Sequence, residues 1–480
     1  MIRFGSFQID PRTWLLTCDN RTVDLSPRLV EILAFIVGRH GAIVTKDELL
    51  EKFWPDINVT ENTLTRAIAD IRKAIGDDAA APRYLGTASR RGYRFVGDQP
   101  SIGSEVDPFE EWVKGRLALD SLEAGRLNDA VLAFERAAVD LPKYAPAHAG
   151  LANAYLLQYE KTRSGRAPDR GLLERAMKAA REASTIDPSL GEAWAVLGYL
   201  LFASGKLQEG QAAARRATAL EPDNWRHHYR LAYGAWGEER LRAVDRTLAL
   251  MPGFAPARML ACMVYVARGL MDRAEREASV GADAQRQHHL DGTPLPAVGL
   301  HWLRGIILGS MGDAAGALAC FDEEIAAAAS GHVYGGEFAV NAHVASGFTN
   351  LAGNDLAAAS TAFTRALDQS PGHPKASVGR YAIAHASKDA QAIDGAQKLA
   401  AVAIEELART ERRVEAALVT AGRDLVEGRA DEALATLDRL LTTAPAGPAG
   451  WIIPVDPMLT ALRESAGKPA LFAKLASRAS

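Results

Sequence analysis

The sequence predicts two folds in one chain. A small α+β unit of strands, three helices and a closing hairpin comes first, and an all-α superhelical solenoid follows. Three observations predict this. Apolar–polar alternation is confined to the first hundred residues. Helical spacing governs nearly everything beyond residue 108. One spacing of small residues and proline recurs along that second part. The chain has 480 residues, enough for two or more domains or one extended array.

In the first part, Ile2–Ile9, Trp14–Thr17 and Thr22–Leu25 read as short strands separated by Asp-Pro and Asp-Asn turns. Ser26-Pro27 supplies an N-cap and then proline at the first helical position. Leu29, Ile32, Leu33, Ile36 and Val37 follow at helical spacing, and Gly41 ends that helix. Thr45 with Glu48 three residues later is a second capping signature. Its helix carries Leu49, Leu50 and Phe53 and stops at Pro55. A third helix starts near Thr60 and sets Leu64, Ile68, Ile71 and Ile75 on one stripe, ending at Gly76. Arg83–Val96 reads as a hairpin, with Arg90 and Arg91 adjacent at its tip beside Gly92. Two like charges at a tight turn repel, and an anion passing close to the tip is one reason to keep them. Asp98–Pro108, DQPSIGSEVDP, is polar and rich in turn formers, and reads as a linker.

In the second part, Ala130, Phe134, Ala137 and Pro142 stand at offsets of four, three and five. The offsets recur at Ala176, Ala180, Ala183, Pro188; at Gly210, Ala214, Ala217, Pro222; and at Ala359, Phe363, Ala366, Pro371. Ala433, Leu437, Leu440, Pro445 is a looser copy. Pro188 and Pro222 lie 34 residues apart. Small residues let a second helix approach its neighbours, and proline ends it so the next can start. No pair buries its apolar face alone, so pairs stack. The pattern fades between Pro252 and Ser330, where GTPLP interrupts it, and Glu160–Arg170 looks like an insertion. The segment after Pro445 regains helical spacing and reads as a cap on the last repeat. The expected boundaries are 1–97, a linker at 98–108, repeats over 109–445 and a cap over 446–480.

The net charge is −4, so the chain is no polycation, yet residues 58–95 carry a local +3. A slightly basic segment on an acidic body fits a local anion-binding face. The three cysteines are far apart and form no CxxC pair, which suits a reducing compartment. No signal peptide and no run of 18 apolar residues is present. A soluble cytoplasmic protein without a membrane partner is therefore the expectation. No metalloprotease, nucleotide-loop or nucleophile-elbow motif appears, so no catalytic residue, cofactor or metal is expected. The adjacent pairs His227-His228 and His288-His289 point about 100° apart on a helix and read as exposed side chains rather than ligands.

LTRAIADIRKAIGDD (Leu64–Asp78) and YLGTASRRGYRFVG (Tyr84–Gly97) resemble the winged helix-turn-helix DNA-binding domain of the OmpR/PhoB type. The spelling is nearest the CadC/ToxR and HilA branches. The remainder resembles tetratricopeptide repeats (TPR). The resemblance departs from response regulators, which place a receiver domain before the winged helix. Here the winged helix starts at Met1, so phosphorylation of a receiver is not the expected switch. Polar Asp98–Pro108 replaces the membrane helix of CadC relatives, leaving an organisation closer to HilA.

The resemblance makes the third helix the recognition helix and the hairpin the wing. Asn62, Thr65, Arg66, Arg72 and Lys73 on the helix, with Thr87, Arg90 and Arg91 on the wing, are the expected DNA contacts. Arg66 matches a base-reading position, and arginine pairs bidentately with guanine. Asn62 either reads adenine or bonds its own backbone. Arg72 and Lys73 suit phosphates, and Thr87 matches a phosphate-binding position. Asp70, near this surface, either orients Arg66 or repels misplaced phosphate. Tyr93 and Phe95 pack the wing, and Gly92 keeps its tip slender. Charged residues on an amphipathic helix are otherwise simply a solvated face.

The implied partners are double-stranded promoter DNA, a protein or peptide (RNA polymerase or a regulator among them) on the repeats, and a second copy of the chain on paired half-sites. Tyr155, Tyr159, Trp194, Trp225, Tyr229, Tyr233 and Trp236 either line a partner groove or fill the repeat core. The function expected is a one-component transcriptional regulator, an activator in preference to a repressor of the same chemistry. The alternative is a scaffold whose winged helix contacts protein instead of DNA.

Overall fold

A computed structural model describes the chain apart from residues 1, 11–13, 19–20, 24, 40, 55–60, 89–90, 98–107, 164–167 and 292–296. The linker expected at 98–108 thus lies almost wholly outside the described residues. The chain divides into two compact units, Met1–Val113 and Lys114–Ser480.

The first unit opens with an antiparallel sheet, β1 (Ile2–Phe4), β2 (Phe7–Asp10), β3 (Leu15–Cys18) and β4 (Arg21–Thr22), paired in that order. The run expected as one strand is two, because Gly5, at φ 53°, turns the chain so that Phe4 faces Phe7. Three helices follow: α1 (Pro27–Val37), α2 (Lys46–Phe53) and α3 (Glu61–Ile75). Thr45 caps α2 by accepting from the Glu48 N–H at 3.1 Å. Ser26 precedes α1 in extended backbone, but its hydroxyl makes no cap bond. Strand β5 (Val44–Thr45) joins β6 (Leu85–Ala88) and β7 (Gly92–Phe95) in a second sheet, ordered β5-β7-β6. One core unites them: Phe4, Ile9 and Leu16 from the first sheet, Ile32, Leu33 and Ile36 from α1, Leu49, then Leu64, Ile68 and Ile71 from α3, closed by Leu85 and Phe95. These apolar positions repeat at helix or strand period, and their burial fixes which face of α3 points outward.

The second unit is built of helix pairs. They are α4 (Pro108–Asp120) with α5 (Leu127–Asp140), α6 (Ala145–Arg163) with α7 (Arg170–Ile186), and α8 (Gly191–Ala203) with α9 (Leu207–Leu220). Next come α10 (Trp225–Gly234) with α11 (Gly237–Leu250), α12 (Ala255–Ala267) with α13 (Met271–Asp291), and α14 (Leu300–Ser310) with α15 (Ala314–Ala327). Then α16 (Gly335–Ala352) pairs with α17 (Leu356–Gln369), α18 (Pro374–Ser387) with α19 (Ala390–Arg409), and α20 (Arg413–Val426) with α21 (Ala430–Thr443). Helix α4 begins in one unit and ends in the other.

The recurring spacing marks the second helices. Ala130, Phe134 and Ala137 of α5, and Ala359, Phe363 and Ala366 of α17, are wholly buried. The Phe134 ring fills the space a Cβ would need at both Gly115 and Gly150, on the first helices of its own pair and the next. Phe363 does the same against Gly347 and Gly379. A large ring between two glycines draws three helices together, and that contact propagates the stack.

Repeats lead up to and occupy the region where the pattern faded. Arg240, Val244 and Thr247 stand at the diagnostic offsets in α11, and Ala317, Phe321 and Glu324 in α15, all buried. The polar intruders have local tasks. Arg240 donates to the Ala232, Tyr233 and Ala235 carbonyls at the end of α10. Glu324 accepts from Gly299 N (2.7 Å), Trp302 N (3.2 Å) and the Gln285 amide (3.2 Å), satisfying the start of α14. The insertion expected at Glu160–Arg170 carries α6 on to Arg163, and Arg170 opens α7.

The C-terminal segment does more than cover the last pair. Met458 sits against Gly422 of α20, and Lys474 pairs with Asp438 at 2.6 Å. The same segment reaches back along the stack. Asp456 pairs with Lys375 at 2.6 Å, and Arg463 donates to the Gly309 carbonyl. A last helix, α22 (Lys468–Arg478), buries Leu471 and Leu475. Trp236 donates to the Arg478 carbonyl, and Arg268 to the Ala479 carbonyl, each at 2.8 Å.

Candidate nucleic-acid interface

Helix α3 separates its faces cleanly. Leu64, Ala67, Ile68, Ile71 and Ile75 are buried, while Asn62, Thr65, Arg66, Ala69, Asp70 and Lys73 are exposed. At about 100° per residue, Asn62, Arg66, Ala69, Asp70 and Lys73 form one stripe, with Thr65 and Arg72 on its flank. Arg66 and Lys73 make no ion pair among the described residues, so both charges face solvent. Asp70 does not hold Arg66: no bond joins them. Arg66 therefore keeps all its donors for a ligand.

Arg72 departs from its expected role. It is half-buried, and its guanidinium donates to the Leu85 carbonyl at 2.7 Å and to the Thr87 hydroxyl at 2.9 Å. The helix residue and the wing residue, both expected on phosphates, are committed to one another. Their bond is a strut between α3 and β6. A second strut was not foreseen. The Asp77 carboxylate, just past Gly76, accepts from Arg83 N (2.6 Å), Tyr84 N and Leu85 N (2.8 Å). In sequence Asp77-Asp78 reads as an ordinary solvated pair, and only the returning chain makes Asp77 an anchor. Its signal is its place one residue after a helix-ending glycine at φ 63°.

The wing itself is β6 and β7, in register from Leu85↔Phe95 to Ala88↔Gly92. Arg91 is exposed at the turn, whereas Arg90 lies outside the described residues. Gly92 is required for a different reason than a slender tip. A Cβ there, at φ 154°, would collide with the Val44 carbonyl oxygen of β5. Tyr93 and Phe95 are buried and pack the wing on the core. Arg94, also exposed, alternates to the face opposite Thr87.

The aromatic residues of the repeat unit take varied places. Tyr155 is buried, hydrogen-bonded to Glu135 and covered by Arg175, so it belongs to the repeat core rather than a groove. Trp194 donates to the Pro188 carbonyl under Arg216. Trp225 and Tyr229 pack on Phe254, and Tyr233 stacks on Tyr199. Tyr159 lines a cavity of about 1480 Å³ with Trp302, Glu337, His373 and Trp451. Trp236 carries the returning C-terminal helix. Contrary to the exposed reading, His227 is buried and shares Glu221 with Asn224. His288 and His289 have side chains outside the described residues. No grouping of metal-ligating side chains and no helix long and apolar enough to cross a membrane occurs among the described residues.

Residues 20–95 match the family model described as transcriptional regulatory protein, C terminal, and residues 191–224 match a tetratricopeptide repeat. An OmpR/PhoB-type domain thus stands at the N-terminus and tetratricopeptide-like pairs follow it. The transcriptional activator CadC of Escherichia coli K12 is 30% identical over 97 residues, 20% of this chain and 19% of that protein. The transcriptional regulator HilA of Salmonella typhimurium is 35% identical over 92 residues, 19% of this chain and 16% of that protein. The chain thus spans under a fifth of the length of these relatives. The solved DNA-binding domain of E. coli CadC is 29% identical, covering 20% of this chain and 90% of that one, with a TM-score of 0.18.

Proposed function

We propose that the chain is a transcriptional regulator acting in the cytoplasm. Its winged helix reads promoter DNA, and its repeats receive the protein or peptide that governs it. One observation carries the reading. An unpaired Arg66 stands on the outward stripe of a helix that two polar struts fix to the wing carrying Arg91. A rod of that size enters the major groove with Asn62, Thr65 and Arg66 near base edges. Lys73 contacts the phosphate backbone, and the Arg90/Arg91 turn meets backbone or the adjacent minor groove. One such unit reads few base pairs, so two copies occupy paired half-sites. Activation through contact with RNA polymerase is the form of control that agrees with the relatives named as activators.

The test is to sequence DNA bound by the full chain and measure affinity for the recovered site. Replacing Arg66, Arg90 and Arg91 together by alanine abolishes specific binding and reporter output. Intact binding by that variant would transfer the reading to a scaffold with a protein-binding winged helix.

A further inference from the structure

The repeat stack closes on itself at two places. The turn after α4, in the first pair, runs beside the connection between α15 and α16. There Ala124 N donates to the Gly331 carbonyl at 3.0 Å and Val333 N to the Leu122 carbonyl at 2.8 Å. Arg170, at the start of α7, pairs at 3.4 Å with Glu411, between α19 and α20 and 241 positions further along the chain. The cavity of about 1480 Å³ is lined by residues of both contacts. Its apolar wall is Trp302 of α14, Val340 of α16, Leu418 of α20, and Trp451 and Ile452 from the segment after α21. Trp451 and Ile452 pack against the core that holds Val340 and Leu418 and against the one that holds Leu303 and Ile306. The wall thus depends on the returning C-terminal segment and not on the repeats alone.

We propose that this cavity binds a compact, uncharged small molecule with a flat apolar body and acceptor oxygens, seated against Trp302 and Trp451. The proposal goes beyond the partner role given to the repeats and does not depend on it. An open superhelical groove accepts an extended chain, whereas a stack bonded from its first pair to its seventh bounds a space that suits a compact ligand. The charges of the lining are already engaged. Besides Arg170 with Glu411, Arg412 pairs with Glu415 and Lys375 with Asp456, each at 2.6 Å. Arg409 pairs with Glu406 of its own helix, and Lys161 shares the lining with Glu160 and Glu337. An ionic ligand would have to break one of these pairs and strand its partner. Neutral donors are what the lining has to spare. The indole N–H groups of Trp302 and Trp451 have no hydrogen-bond partner among the described residues. His373 accepts the Ala376 N–H on Nδ1, which leaves its proton on Nε2, and burial keeps the ring neutral near neutral pH. That Nε2–H also has no partner among the described residues. An apolar ring laid on the half-buried indoles takes their faces out of water, and acceptor oxygens suit the spare N–H groups.

The probe is Nile red, a neutral fused-ring dye with a carbonyl oxygen, titrated by fluorescence into the full chain, with anionic anilinonaphthalene sulfonate as the second arm. We expect saturable one-to-one binding of Nile red with blue-shifted emission. Trp451→Leu weakens it by about tenfold or more, the scale of an aromatic anchor. Gly336→Trp does the same by filling the space, since Gly336 lines the cavity and no atom lies within 4 Å of where its Cβ would stand. That variant should melt with the parent, so its loss of dye is not loss of fold. No saturable binding of Nile red, or binding unchanged in Gly336→Trp or in Trp451→Leu, overturns the proposal. So does a lower melting temperature in Gly336→Trp, which would show that the space is not open. Displacement of Nile red by the equimolar anionic dye also overturns it, because charge would then be no bar. Operator affinity stays at the parent value in Gly336→Trp, and Arg66→Ala binds the dye as the parent does, so failure here and failure of the DNA reading give different results.

Discussion

Arg66 and Arg72 differ by six positions and have unlike fates. Arg66 is free on the stripe, and under the proposed function Arg66→Ala removes a base contact worth about 1–3 kcal/mol of discrimination. Operator affinity should fall at least several-fold while the melting temperature stays put, measured by gel shift and calorimetry. Arg72→Ala acts on the strut. It should loosen the wing and lower stability by about 1–3 kcal/mol, since the Leu85 carbonyl and the Thr87 hydroxyl lose a charged donor. His373 offers a pH prediction. It caps α18 by accepting from the Ala376 N–H, and burial, then Lys375 and Arg412, pull its pKa down to about 4. The unfolded imidazole takes its proton near pH 6.5, while the folded one resists until about pH 4. Stability is therefore complete above pH 6.5 and falls as pH drops through that window. The loss is roughly 3 kcal/mol, and denaturant titrations of His373→Gln should lack that slope.

At the scale of elements, the wing is rigid because Asp77 gathers three backbone N–H groups at the start of β6. Asp77→Ala should cost the first unit about 1–3 kcal/mol, seen in hydrogen exchange of β6 and β7. The salt dependence of operator binding belongs to the same element. Arg91→Ala should reduce the slope of log K against log salt by roughly 0.9, the share of one phosphate. Glu324→Leu strands the N–H groups that open α14 and should cost about 1–3 kcal/mol. Much of this architecture was readable beforehand. Leu64, Ile68, Ile71 and Ile75 announce α3, and the Ala-Phe-Ala spacing announces α5 and α17, because burial selects residue type at helical period. The repeats in α11 and α15 were hidden because Thr247 and Glu324 hold positions that alanine holds elsewhere. Arg72, Thr87 and Asp77 were misread or missed for a shared reason. Their partners lie across a chain reversal, and a polar residue's partner is set by tertiary return rather than local period.

At the scale of the molecule, two units of different kind share one chain, and each has its own core. Deleting residues 114–480 should leave operator binding by the first unit detectable, while the response of transcription to any partner disappears. The repeat unit carries a further consequence through its last helix. A stack of pairs held only by nearest neighbours frays from its ends and extends under load like a loose coil. Here Arg478 and Ala479 are fastened to Trp236 and Arg268, more than 200 positions earlier in the chain. A coil whose tip is riveted to its own middle resists stretching until the rivet gives, and should then yield abruptly over the spanned pairs in a single force peak.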